Sequence, residues 1–166
     1  MRRLSTTLCL LAIATMVMVG CGKKDGSDSK GGDEKKKAAP LKMVPTPLPA
    51  LGLTMQAPEG AEVKGTNLIF VRKGDAFGLQ IQKDIFGARG DNLIIPFEKK
   101  LLKKKLADEP ELQIWTKDMA GKDVVLFALV VKVGEQKYYV QSDGMGMYDR
   151  DQVDVMVKAS RTLAAK

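Results

Sequence analysis

Histidine and cysteine are the usual ligands of zinc and frequent catalytic groups, and this 166-residue sequence has no histidine and only two cysteines, Cys9 and Cys21. The usual zinc sites, a histidine triad and a histidine general base are therefore excluded. From residue 51 onward the serines are Ser142, in a turn-like QSDG, and Ser160, and neither sits in a G-x-S-x-G nucleophile turn. Asp143, Asp149 and Asp151 gather around Gly144 and Gly146 as calcium ligands could, but their spacing departs from an EF-hand loop. A helix cap and a solvated turn account for them more simply. No cofactor, metal or small-molecule substrate is expected, and a lysine- or carboxylate-based hydrolase is the third-ranked reading. The residue left with a chemical task is Cys21.

Cys21 ends the stretch MVMVGC, after an apolar run from Leu8 to Val19 flanked by Arg2 and Arg3 before it and Lys23 and Lys24 after it. Twelve helical residues rise roughly 18 Å, short of a hydrocarbon core of about 30 Å. Two arginines, an apolar core and a small residue at the break are the parts of a secretory signal. Met18-Val19-Gly20-Cys21 resembles the lipobox of bacterial lipoproteins, with Met18 where leucine is usual. The resemblance implies cleavage between Gly20 and Cys21, a diacylglycerol on the Cys21 thiol and acylation of the new amino terminus. A plain secretory signal or an uncleaved anchor is the alternative. In a double-membrane bacterium the same resemblance implies the outer membrane, because Gly22 stands where lipoproteins retained in the inner membrane typically carry aspartate. Cys9 lies in the segment to be removed, so no disulfide framework is expected in the exported chain.

The formal charge of +7 falls on processing: without Arg2 and Arg3, 25 basic residues remain against 20 acidic ones, a net +5. Residues 21–50 read as a tether. Its first part, GKKDGSDSKGGDEKKKAAPLK, has almost nothing apolar to bury and is expected to be disordered. The next part, VPTPLPA, has prolines at alternate positions and is expected to be stiff and extended. Lys23 and Lys24 are solvated or touch anionic headgroups.

Residues 51–166 are enough for one domain with its own core. LGLTMQ alternates before an APEG turn, and TNLIFVRKGDAFGLQIQKD reads as a hairpin turning at Lys73-Gly74-Asp75. DNLIIPFEKKLLKKKLAD switches to helical spacing, with Phe97, Leu101, Leu102 and Leu106 forming an apolar arc. ELQIWTKDM alternates again. DVVLFALVVKV is continuously apolar, as a strand covered on both faces is, and turns back at Gly134 into KYYVQSD. A last helix follows, capped by Asp149 or Asp151, with Val153, Met156, Val157, Ser160, Leu163 and Ala164 on its stripe. The expected fold class is α+β: a single domain of mostly antiparallel sheet with helices packed on its faces.

The LTMQAPEG strand and turn, the GLQIQ strand, the lysine-rich middle helix, the VVLFALVV and KYYVQS pair and the closing VDVMVKASRTL helix together resemble the PsbP-like α/β/α sandwiches over about Leu51 to Leu163. That resemblance implies a non-catalytic assembly or binding factor and supplies no site residues.

On the middle helix, Lys99, Lys100 and Lys103 are expected on one flank, as an ordinary solvated face or as a contact for an anionic surface. The stretch lacks the aromatic interleaving and arginine forks of nucleic-acid binders, so no nucleic-acid partner is expected. Arg89-Gly90-Asp91 spells an adhesion tripeptide that arises easily by chance. Trp115 reads as core packing. The function expected is thus that of an envelope lipoprotein, attached to the membrane by its N-terminal lipid, whose domain binds an envelope protein. The alternative is an electrostatic adaptor to anionic surfaces through the middle helix. Palmitate labelling tests the anchor: Cys21→Ala should abolish it, and an intact Met1 terminus found by mass spectrometry would contradict cleavage at Gly20.

Overall fold

The structure is a computed structural model that describes residues 40–166, the side chain of Asp91 excepted. The expected signal peptide with its cleavage residues Gly20 and Cys21, and the lysine- and glycine-rich part of the expected tether, lie outside the described residues. The described residues 40–166 belong to one compact unit.

The chain is mostly antiparallel sheet. Seven strands run in the order β3 (Glu62–Lys64), β4 (Leu68–Lys73), β5 (Phe77–Lys83), β9 (Gln136–Ser142), β8 (Lys122–Val133), β7 (Leu112–Met119) and β6 (Leu102–Asp108). A smaller sheet has the order β1 (Met43–Leu48), β2 (Leu53–Pro58) and β10 (Ala164–Ala165). The expected β4–β5 hairpin is present, with Ile69 facing Ile81 and Val71 facing Leu79, all buried. In β8 every residue from Val124 to Val130 is buried, so its two alternating sets of side chains need cover on both faces.

The first face is covered by the small sheet and by α2 (Arg150–Ser160), which pack Leu53, Met55, Val153 and Met156 against Leu79, Phe127 and Val140. Asp149 caps α2: its carboxylate accepts the Gln152 N–H at 3.0 Å while its own N–H donates to Gln152 Oε1 at 2.9 Å. The helix stops at Ser160, earlier than its apolar stripe suggests. Leu163 is still buried, but beyond the helix, and Ala164 pairs with Thr54 on the edge of β2.

The second face has no long helix. It is covered by residues 84–101, an irregular segment ending in a short helix, α1 (Pro96–Leu101). Ala88, Leu93 and Ile94 pack there on Trp115, Leu126, Ala128 and Tyr139. The middle helix expected through Leu106 is therefore corrected: it ends at Leu101, and Leu102–Asp108 is edge strand β6, with Phe97, Leu101 and Leu106 exposed. Pairing with β7 satisfies backbone groups that a helix would leave open, and that gain exceeds the modest helix preference of lysine and leucine.

The proline-rich stretch is corrected as well, and with it the domain boundary at residue 50. Met43–Leu48 is a paired strand of the fold. The Glu59 N–H donates to the Lys42 carbonyl, so alternate residues 42, 44, 46 and 48 bond towards β2, and the nitrogens of Pro45 and Pro47 lie on the free edge. They cost the sheet no hydrogen bond and close that edge to further strands.

Two polar contacts pin the 84–101 segment to the sheet. Lys117 of β7 holds Glu98 of α1 at 2.8 and 2.9 Å, with side chains only 6% and 15% exposed, and the Tyr139 hydroxyl donates to the Leu93 carbonyl. Burial first, then the nearby Glu98 and Asp84 carboxylates, push the Tyr139 phenol up to about 12. An unfolded chain releases that proton near pH 10. The contribution is therefore complete below pH 10 and is lost as pH rises from 10 to 12, by about 2–3 kcal/mol. Denaturant unfolding across this range should show stability falling less steeply in Tyr139→Phe than in the parent. Equal slopes would place the phenol in water.

Candidate functional site

Gly78 stands opposite Arg72 in the β4–β5 pair, and its carbonyl accepts the Asp143 N–H at 3.0 Å. A Cβ at 78 would lie 2.0 Å from the Tyr148 hydroxyl and 2.4 Å from Asp143 Oδ2. The missing side chain leaves the space through which a buried carboxylate reaches a guanidinium. Asp143 Oδ2 lies 2.5 Å from Arg72 Nε, while Oδ1 accepts the Tyr148 hydroxyl at 2.8 Å and the Gly146 N–H at 3.1 Å. Gly146 has a matching role, since a Cβ there would lie 2.0 Å from the Tyr148 ring. Burial, and the hydrogen bond to Asp143, push the Tyr148 phenol above its ordinary range, so it stays a neutral donor.

Held in this way, Arg72 lies with its guanidinium carbon 5.5 Å from the Phe70 ring centroid, a cation–π contact. Phe70, Arg72 and Met145, with the Glu62–Lys64 ion pair, line a groove of about 320 Å³. Met145 is 80% exposed. Both Asp143 oxygens are engaged, Tyr148 is held protonated, and the neighbouring Ser142 hydroxyl is buried accepting the Phe127 N–H at 3.2 Å. The arrangement is suited to contact: a fixed cation, an aromatic wall and an adaptable thioether. A second groove, of about 370 Å³, runs between Leu41, Met43 and Gln56 on one side and Val155 and Ala159 of α2 on the other.

The three lysines expected on one helix flank are separated. Lys99 and Lys100 lie exposed on α1, whereas Lys103 lies on β6, 3.2 Å from Asp118 and 2.6 Å from Asp123. Hydrogen bonds to Asp123 and Asp118 raise the Lys103 pKa. Lys103 and Lys104 fall at an edge broken by two register shifts, and lysines with bulges are a usual guard against strand addition. Asp143, Asp149 and Asp151 do not converge: the first is buried against Arg72, the second caps α2 and the third is exposed. Among the described residues no group of three or more metal-ligating side chains is placed around one point. Trp115 is buried in the second core cluster. Arg89 of the Arg-Gly-Asp sequence is exposed, and the Gly90 N–H is bonded to the Pro110 carbonyl.

Sequence reading missed Phe70, Arg72, Met145 and Tyr148. One signal was present: a glycine inside the FGLQIQ strand, where close approach by another group is a usual reason for it. Comparisons with protein-family models, curated proteins and solved structures found no match.

Gly78→Ala should destabilise the fold by about 3 kcal/mol or more, because both groups in its way are buried and engaged. Gly144→Ala, with nothing within 4 Å of the added Cβ, should stay within about 0.5 kcal/mol. Equal urea midpoints for the two variants would contradict the Asp143–Tyr148 geometry.

Proposed function

We propose that this chain is an envelope lipoprotein, anchored through Cys21 and favouring the outer membrane, whose β-rich domain binds another protein and performs no catalysis. The observation that carries the reading is the Arg72–Phe70–Met145 groove. Arginine and aromatic side chains dominate the energetics of protein contacts, and methionine adapts to the shape it meets. Here the arginine is fixed in advance by a buried carboxylate, which lowers the ordering cost of binding. The partner that fits presents an apolar side chain to Phe70 and Met145 and a carboxylate or carbonyl acceptor to the open side of the guanidinium.

The sheet edges support contact through side chains over contact by strand addition. Pro45 and Pro47 block β1, bulges and lysines guard β6, and β3 is three residues long. As to lineage, we hold the PsbP-like sandwich as a proposal compatible with an antiparallel sheet carrying α2 on one face. The electrostatic-adaptor alternative loses Lys103 to its two aspartates and rests on Lys99 and Lys100.

A photo-crosslinking residue placed at Met145 of the native, membrane-attached protein should give one dominant crosslinked envelope protein. That product should fall at least tenfold with Phe70→Ala. The same pattern from a crosslinker at Glu135, on the β8–β9 turn, or no effect of Phe70→Ala, would contradict the groove as the contact.

A further inference from the structure

The segment that covers the second sheet face has an outer side of its own. Of the eight large apolar side chains exposed on the described surface, five belong to residues 84–101. Ile85, Phe86 and Phe97 are 75%, 85% and 66% exposed, and Leu101 follows Phe97 at the i+4 position of α1.

Charge is sorted between the two sides of the segment. Its described acidic side chains are turned to the protein: Asp84 Oδ1 accepts the N–H groups of Phe86 and Ala88 at 3.2 and 3.0 Å, and Glu98 is held by buried Lys117. Both lie close enough to buried Tyr139 to act on its phenol. Its cations are turned out. Arg89, Lys99 and Lys100 are exposed, as is Lys83 just before the segment, and none of them forms an ion pair among the described residues.

We propose that this outer side docks the domain on an anionic bilayer surface, with Phe86 and Phe97 entering the boundary between headgroups and acyl chains and Lys99 and Lys100 meeting lipid phosphates. Projecting aromatic side chains among unpaired cations fit a fluid anionic surface, which needs no matching shape. The two grooves described above lie elsewhere, at Phe70–Arg72 and beside α2. Exposed lysines act as point charges suited to headgroup phosphates, without the directional fork of an arginine contact. The outer side of the segment shares no residue with the Phe70–Arg72 groove.

The test uses full-length protein reconstituted into phosphatidylcholine vesicles with or without phosphatidylglycerol, their acyl chains brominated to quench tryptophan. Phe86→Trp and Phe97→Trp are the reporters, and buried Trp115, the only native tryptophan, gives the background. Both reporters should be quenched in anionic vesicles, and the quenching should fall several-fold in phosphatidylcholine, at high salt and with Lys99→Gln/Lys100→Gln. Quenching no greater than that of Trp115, or equal in both kinds of vesicle, would overturn the proposal. So would crosslinking of Phe97 to a protein in native envelopes without lipid quenching. The test is separable from the anchor: a chain that begins at Cys21 and carries no lipid there leaves phosphatidylcholine vesicles altogether, whereas failure of docking leaves the protein attached and its reporters unquenched.

Discussion

A strand that is apolar on both sides cannot have a wet face, and β8 imposes that constraint on this fold. Burial of a valine, leucine or phenylalanine side chain stabilises by about 1.5–3 kcal/mol, and seven consecutive residues from Val124 to Val130 are buried. Two covers are required, and the described residues hold one helix long enough to serve as one. α2, with the small sheet, takes the face of Phe127 and Leu129. The face of Leu126, Ala128 and Val130 is left to the segment between β5 and β6. Other features of the molecule follow from how an irregular segment is made to act as a layer.

Such a segment cannot rely on a helical stripe, and polar contacts fix it instead. Glu98 and Lys117 form a nearly dry ion pair; losing one partner of such a pair costs about 3–5 kcal/mol, because the other is left buried and unpaired. Tyr139 holds the Leu93 carbonyl and Asp84 holds the turn at Phe86. These contacts draw the segment's described acids inward. Its cations and part of its apolar content are left outside, which is why the cover also has the chemistry of a docking surface. The Asp143 site has the same logic at the far end of the sheet: a buried carboxylate, engaged by Tyr148 and Gly146, fixes Arg72 over Phe70.

Legibility in the sequence followed how local each signal was. The β4–β5 hairpin, the continuous apolar run of β8 and the Asp149 cap depend on neighbours in the chain, and the reading anticipated them. Leu102–Asp108 was misread because its leucines and lysines suit a helix, whereas its conformation is set by the open edge of β7, which no local pattern reports. Pro45 and Pro47 look like breakers until the pairing phase puts their nitrogens on a free edge. Among the candidate site residues, Lys99 and Lys100 are exposed as expected, while Lys103 is engaged by two aspartates 15 and 20 residues away. Arg72 and Gly78 meet Asp143 and Tyr148 across a long separation, and the glycine is the local trace of that meeting.

The central claim is that residues 84–101 are a fixed layer of the fold whose inner side is pinned and whose outer side is free. Native-state amide hydrogen exchange tests it most directly, read at Leu93 and Lys99, whose N–H groups donate to the Gly90 and Ile95 carbonyls. Both amides should be strongly protected in the parent protein. Lys117→Met, which leaves Glu98 without its cation, should bring them towards free-chain rates while β8 and β9 keep their protection. Free-chain exchange at Leu93 and Lys99 in the parent protein, with β8 protected, would contradict the account.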